Sequence, residues 1–305
     1  MHNLEPGSSL YYSLLWTDAA AKERFIARLS LLGSLNSTLD DVQDPEVAQK
    51  KIHWWHEELE RMINGEARHP ATQGCQNSFL SSSTLFAKGD PNPIMFACLA
   101  VLSSVSDLRF TPPATMKDRN EQLVKNFTAR LALLSHALSD EISDLDMTSH
   151  PAIAAEGLAK HEQLLRLPAL LHRGHAVFSD ETYKSHNVSP SDLASDIRVA
   201  AGSESNPETT VSASLSGIPI TEDKPGKNSL IKAAIEDTHA ALRKATILPE
   251  VSGRYRQEAL LPLWRMIILR HKQLALWENK QPDLLREHMT LTPVSKLFHA
   301  WRNRR

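Results

Sequence analysis

The sequence lacks the features that mark secreted, membrane-spanning or nucleic-acid-binding proteins. Its two cysteines, Cys75 and Cys98, match no metal-ligand spacing, so each is expected to be a small buried thiol in a reducing compartment. No run of about 18 apolar residues occurs, so no spanning helix is expected. The net charge is −2, so no strong field favours nucleic acid as a partner. Residues 1–6 lack the basic and apolar regions of a signal peptide, which predicts a cytoplasmic protein, with peripheral membrane attachment left open.

The chain also lacks sustained two-residue alternation bounded by hairpin turns, so no sheet is expected. Apolar residues make up 41% and charged residues 23%, a globular composition. Asp18 is a predicted N-cap, Asp44 is another with Pro45 in the first turn, and Gly65 is a predicted helix end. Further helices are predicted at Pro93–Leu108, Met116–Leu138, Ile153–Leu171, Ser229–Ala245, Gln257–Glu278 and Pro293–Trp301. The predicted fold class is all-α.

Residues 202–228 differ from the rest of the chain. The segment is rich in Ser, Thr, Pro, Gly and Glu and holds few large apolar residues. Such a composition buries too little apolar surface to offset the entropy of ordering. The helical stretches on its two sides are too short to form separate cores. We therefore predict a disordered insertion within one domain that spans residues 1–305.

Three runs in the first quarter of the chain carry a family resemblance. They are GSSLYYSLL from Gly7, DPEVAQKKIHWWHEEL from Asp44 and GEARHPAT from Gly65. Together they resemble the opening of squalene/phytoene synthases. The resemblance implies a single-domain isoprenoid-synthase helical bundle around a central cavity.

The resemblance also implies a chemistry and a substrate region. Enzymes of this family join two prenyl diphosphates head to head, with Mg²⁺ ions held by two Asp-rich motifs on facing helices. Mg²⁺ prefers carboxylate and phosphate oxygens as ligands. The hydroxyl side chains of the family's first helix lie beside the diphosphate, which makes Ser9, Tyr12 and Ser13 candidate substrate-binding residues here.

The first Asp-rich motif is eroded in this chain. In a gap-free comparison anchored on Asp44, the family's leading Asp falls on Asn36, a second Asp on Ser37 and the trailing Asp on Asp40. Asp40 and its neighbour Asp41 are the candidate metal ligands, and Asn36 is a candidate substrate-binding residue. Positions four apart share a helix face, so Asn36 and Asp40 are expected on one helix facing the cavity. The alternative is that the acidic residues form a solvated helix end.

The second motif is absent by the same comparison. Counting back from Gly174 places Arg166 and Leu170 where the family has aspartates. A cation and an apolar residue cannot replace two metal-binding carboxylates. Arg166 is instead a candidate for binding a diphosphate.

The run Gly157–Pro168, GLAKHEQLLRLP, is similar to a branch of the family that keeps the fold without the metal motifs. That branch includes a mitochondrial complex I assembly factor. The resemblance predicts a non-catalytic isoprenoid-binding or assembly factor without a cofactor, with a prenyl diphosphate, a prenyl lipid or a protein as candidate partner. One alternative is an active Mg²⁺-dependent prenyltransferase of squalene, hydroxysqualene or phytoene type. Another is an unrelated helical interaction protein.

The C-terminal segment combines basic and apolar side chains. The large apolar residues are Leu297, Phe298 and Trp301. The basic residues beside them are Lys296, Arg302, Arg304 and Arg305. Such an amphipathic segment is typical of helices that rest on an anionic membrane surface. The alternative is a terminal helix that docks through its three large apolar side chains.

Overall fold

The structure, a computed structural model, describes residues 5–80, 92–110, 115–138, 150–172, 177–194, 225–246, 254–285 and 289–303. Helices are the only regular structure of these segments, with no strand among them, which confirms the all-α prediction. The helices that lie wholly within these segments are, in chain order, α1 (Ser9–Ser13), α2 (Ala19–Ser37), α3 (Pro45–Ile63), α4 (Pro70–Leu80), α5 (Pro93–Phe110), α6 (Met116–Leu138), α7 (His150–Leu165), α8 (Leu167–His172), α9 (Asp180–Ser185), α10 (Pro225–Lys244), α11 (Arg254–Lys280) and α12 (Pro293–Arg302).

The predicted caps are confirmed. The Asp18 carboxylate accepts a hydrogen bond from the Ala21 N–H at 2.8 Å, and the Asp44 carboxylate accepts one from Glu46 at 2.8 Å. Pro45 opens α3, where its missing N–H costs nothing. Gly65 follows the end of α3 with a φ of 85°, a left-handed conformation that glycine adopts without strain.

The structure differs from the predicted helix pattern in several places. The predicted helix over Ile153–Leu171 is divided, because Pro168 has no N–H to donate to the carbonyl four residues earlier. Helix α4 was not predicted, since its sequence is polar and includes Gly74. Most of the predicted insertion lies outside the described residues, but residues 225–228 are wrongly assigned to it, since they form the first turn of α10.

Helix packing leaves a space between four long helices. Helix α6 contacts α2, α5, α7 and α11, while α10 packs against both α7 and α11. The short α1 and the C-terminal α12 pack against α11 and against each other. The core around this space includes the fully buried Leu31, Leu35, Leu133, Leu274 and Trp277. Helices α2, α6, α7 and α11 therefore form the walls of the site described below.

The cysteines are buried and free, as predicted. Burial raises the pKa of the Cys75 thiol to about 12, since a low-dielectric interior disfavours the thiolate. Among the described residues, no helix has both the length and the apolarity needed to cross a membrane.

Helix α12 packs on the protein through its small and polar side chains. Its buried side chains are Lys296 and Ala300, and the Lys296 ammonium donates to the Gly7 carbonyl at 2.8 Å. The expectation that α12 docks through its large apolar residues is wrong, because Leu297, Phe298 and Trp301 are 44%, 52% and 49% exposed. A polar contact with the N-terminal segment holds the helix and leaves its apolar side outward.

Candidate functional site

A cavity of about 530 Å³ lies between the walls formed by α2, α6, α7 and α11. The segment just before and within α1 closes it on one side with Glu5, Ser8 and Leu10. Most of the lining is apolar and comes from Leu29, Leu32, Phe127, Leu131, Leu134, Leu158, Leu165 and Met266. A space of this size and polarity can hold a branched hydrocarbon chain.

An arginine joins three helices at the polar end of the cavity. The guanidinium of Arg130, on α6, donates to both carboxylate oxygens of Glu162 on α7, at 3.1 and 3.2 Å. Its other terminal nitrogen donates to the side-chain oxygen of Asn36 on α2 at 2.7 Å. The same guanidinium lies 4.5 Å from the centre of the Phe127 ring. Arg130 thus connects α2 to α7 through hydrogen bonds of its side chain.

The network extends toward solvent through Arg166. One nitrogen of its guanidinium lies 3.7 Å from the Glu162 carboxylate. The Arg166 and Glu162 side chains are 43% and 36% exposed, whereas that of Arg130 is only 15% exposed. The exposure gradient indicates that this network lies where the cavity meets solvent.

A second polar group borders the cavity from α7 and α11. It consists of His161 and Arg270, both in the cavity lining. The His161 ring is 1% exposed and stacks on Trp277, with ring centres 5.4 Å apart and planes 3° from parallel. Burial, aided by the charge of Arg270, lowers the pKa of His161 well below its ordinary value, so the ring is neutral.

Sequence reasoning missed Arg130, His161 and Arg270, although each carries a local signal. Arg130 lies three or four residues from Phe127 and Leu134 on the apolar stripe of α6. His161 and Arg270 occupy equivalent positions on the apolar stripes of α7 and α11. A cation or imidazole in phase with core leucines indicates either a buried ion pair or a site.

The first-motif residues are not brought together as expected. Asn36 borders the cavity near the end of α2, as predicted, but Asp40 lies beyond the end of the helix in the turn that follows Ser37. The expectation of a shared helix face is therefore wrong. The chain leaves the helix because Leu39 and Val42 are buried in a small cluster beside α3. Asp41 is exposed, and neither Asp40 nor Asp41 borders the cavity.

The predicted hydroxyl residues of α1 do not border the cavity either. Ser13 is 1% exposed, and its hydroxyl donates to the Leu10 carbonyl at 2.7 Å. Ser9 is buried, and the Tyr12 ring packs edge-on against Tyr11 at 5.4 Å. Ser8 borders the cavity in their place.

The residues at the polar end do not fit a Mg²⁺ cluster. The Asn36 oxygen accepts from Arg130, and Arg166 stands where the resemblance expects a carboxylate. Across the ranges given above, no three His, Cys, Asp or Glu side chains are grouped so as to hold a metal. A divalent cation would also be repelled by two guanidinium groups within reach of one carboxylate. The chemistry that this donor set supports is recognition of anions and apolar chains.

Comparison with known proteins identifies the fold. The structure is similar to that of a dehydrosqualene synthase in complex with ligand, with a TM-score of 0.65 and 12% sequence identity, over 96% of this chain and 90% of that chain. No protein-family model matches the chain, and no curated protein matches it in sequence. The similarity shows the fold alone, so the assembly-factor branch remains a prediction. The chain has the squalene/phytoene synthase-like helical fold that its N-terminal runs predict.

Proposed function

We propose that the protein binds an isoprenoid chain in the central cavity without condensing prenyl diphosphates, and serves as a binding or assembly factor. The observation that carries this proposal is the position of Arg130. Its guanidinium links Asn36, at the leading position of the first motif, to Glu162, four residues before Arg166 in the second. A monovalent cation thus lies between these two motif positions, which supports a site that works without Mg²⁺.

The shape and lining of the cavity support an isoprenoid ligand. Its volume of about 530 Å³ lies within the range of ordinary small-molecule pockets, about 300–1,000 Å³. The leucine side chains that line the cavity have no hydrogen-bonding groups, while the Arg130 network supplies polar contacts at one end. This arrangement suits an amphiphile with a long apolar chain and a polar head.

The charge of the site argues against metal-assisted departure of a diphosphate. Metal ions contribute several kcal/mol to such steps, and every 1.36 kcal/mol corresponds to about a tenfold change in rate. Without Mg²⁺, the residues described here can hold a diphosphate but supply no comparable Lewis acid. We therefore expect this chain to bind a prenyl diphosphate without catalysing its condensation.

A second candidate function is an active prenyltransferase of squalene, hydroxysqualene or phytoene type. The observation in its favour is the fold similarity to a dehydrosqualene synthase over 96% of the chain. Under this alternative, Asp40 and Asp41 would be drawn toward the cavity when Mg²⁺ and two diphosphates bind. Asp40 then becomes a residue whose removal abolishes activity.

The deciding experiment incubates the purified full chain with farnesyl or geranylgeranyl diphosphate and Mg²⁺, and measures the release of pyrophosphate. We expect no release above the enzyme-free control, together with ligand binding that persists in EDTA. The matched variant Asp40→Ala should behave like the wild type in both assays. Mg²⁺-dependent release that disappears in Asp40→Ala would refute the proposal and support the prenyltransferase alternative.

We further propose that α12 rests on an anionic membrane surface. Val294, Leu297, Phe298 and Trp301 form one exposed stripe, with spacings of three and four residues. Arg302 lies in the last turn beside this stripe, and the sequence continues Asn-Arg-Arg. Large apolar side chains flanked by basic ones are the combination that binds an interface between lipid headgroups and acyl chains. A peripheral position would give the cavity access to prenyl lipids.

A further inference from the structure

Arg270 is a cation on the cavity wall that has no acidic partner among the described residues. It lies on α11 among apolar residues, and burial lowers the pKa of its guanidinium, an effect that the charge of Glu162 partly offsets. Its guanidinium donates a long hydrogen bond, 3.4 Å, to the side-chain oxygen of Gln273. No carboxylate of the described chain forms an ion pair with it. A guanidinium in a low-dielectric interior is costly unless a negative charge lies close to it.

The other described charged groups that line the cavity do not neutralise the charge of Arg270. Glu162 receives two hydrogen bonds from Arg130 and a further contact from Arg166, so its charge is already shared. Glu5, the other acid in the lining, is exposed to solvent and forms no ion pair with another described residue. The balance around the cavity therefore favours an additional negative charge beside Arg270.

His161 offers a second unsatisfied polar atom at the same place. Within the described segments its Nε2 has no hydrogen-bond partner, although the residue is only 1% exposed. The stacked Trp277 ring fixes the imidazole, since the Trp277 indole N–H donates to the Met289 carbonyl at 2.8 Å. The side-chain NH₂ of Gln273 donates to the same carbonyl at 3.1 Å, and its side-chain oxygen accepts from Arg270. The buried His161 ring and the partly buried Arg270 guanidinium thus lie at the cavity wall, both beside Gln273, with hydrogen-bonding capacity left over for a ligand.

We infer that Arg270 and His161 form a metal-free anchor for the phosphorylated head of an isoprenoid chain that occupies the cavity. The guanidinium would bind phosphate oxygens through charge-assisted hydrogen bonds, and His161 would bind a protonated phosphate oxygen or accept from a hydroxyl. The apolar lining takes the chain, and Arg130 stays engaged with Glu162. This inference rests on the proposed isoprenoid binding and adds the head group and its two recognition residues.

The test measures binding to the full chain in EDTA by titration calorimetry, with farnesyl diphosphate, farnesol and inorganic pyrophosphate as separate ligands. We expect farnesyl diphosphate to bind about tenfold or more tightly than farnesol, the ratio for one charge-assisted contact. Arg270→Met should abolish this preference and leave farnesol binding unchanged. The matched control Arg243→Met removes an exposed arginine of α10 and should change neither affinity.

The outcomes separate the anchor from the isoprenoid proposal. Equal affinities for farnesol and farnesyl diphosphate, unaffected by Arg270→Met, would overturn the anchor and leave isoprenoid binding intact. Pyrophosphate binding as tight as that of farnesyl diphosphate would keep the anchor but overturn a role for the chain. Binding of neither isoprenoid would overturn both, and an absolute requirement for Mg²⁺ would overturn the metal-free anchor.

Thermal stability without ligand is the second readout. Removal of an uncompensated cation should leave the melting temperature of Arg270→Met equal to or above that of the wild type. A purely structural arginine would lower it instead. His161→Phe keeps a ring stacked on Trp277 but removes the nitrogen, so it should weaken farnesyl diphosphate binding more than farnesol binding. A marked loss of ligand-free stability in Arg270→Met, with unchanged ligand preference, would assign the residue to the fold.

Discussion

Replacement of Glu58 by glutamine should strongly destabilise the folded protein, although the residue lies near the end of α3. The Glu58 carboxylate is fully buried at the junction of α3 and α4. One oxygen accepts from the backbone N–H groups of Arg68 and His69, both at 2.8 Å, and from the Thr72 hydroxyl. The other accepts from the Arg61 guanidinium at 2.9 Å. The carboxylate thus closes the turn that connects the two helices.

The lowered pKa of Glu58 indicates that the folded protein stabilises the carboxylate relative to the neutral acid. Burial alone would raise this pKa, but the N–H of His69, the hydroxyl of Thr72, the N–H of Arg68 and the Arg61 side chain lower it from 4.5 to about 2. Glutamine keeps one acceptor oxygen but turns its NH₂ group toward Arg61, which is also a donor. Hydrogen bonds to a charged group contribute about 1.5–3 kcal/mol, so we expect a loss of about 2–3 kcal/mol at pH 7.

The loss should depend on pH in a defined direction. Because the folded pKa lies below the unfolded one, the stabilisation by Glu58 is complete above about pH 4.5 and disappears as the pH falls toward about 2. At pH 3.5 about 1 kcal/mol of the difference between wild type and variant should be gone, after allowance for solvent screening. Urea unfolding at several pH values measures both quantities.

The neighbouring Glu57 provides a matched control. Its side chain is 49% exposed and lies 3.5 Å from Arg61. Glu57→Gln should change the free energy of unfolding by less than about 0.5 kcal/mol, as is usual for exposed ion pairs. The reasoning is refuted if Glu58→Gln and Glu57→Gln are equally stable at pH 7, or if the Glu58→Gln difference stays constant from pH 7 to pH 3.5.

Two further predictions concern the membrane surface and the packing of the cavity walls. The double variant Phe298→Ser with Trp301→Ser should bind phosphatidylglycerol vesicles at least about tenfold more weakly than the wild type in co-sedimentation, because it loses two inserted rings. If the wild type binds neutral vesicles equally well, the result counts against an anionic surface. Gly157→Ala should lower the free energy of unfolding in urea by about 1–3 kcal/mol, since a methyl group would lie 2.8 Å from the Cα of Leu242 on α10; an unchanged value would show that the two helices separate easily.

Local chemistry made much of the helix pattern predictable. Caps such as Asp18 and Asp44 act within three residues, so they can be identified without knowledge of the rest of the chain. The division between α7 and α8 was predictable on the same terms, because Pro168 lacks a donor wherever the helix packs. Helix α4 was not, since it depends on packing against α2 and on the distant Glu58.

The features of the candidate site can also be separated into those that the sequence predicts and those that depend on tertiary packing. The sequence by itself determined the helical fold, the likeness of the N-terminal runs to squalene/phytoene synthases and the loss of carboxylates at Asn36 and Arg166. Only the tertiary structure decided what stands in their place, because Arg130 lies 94 residues from Asn36 along the chain. Helix packing likewise placed Arg270 beside the cavity and turned the apolar side of α12 outward, since burial and charge compensation depend on neighbours that are distant in sequence.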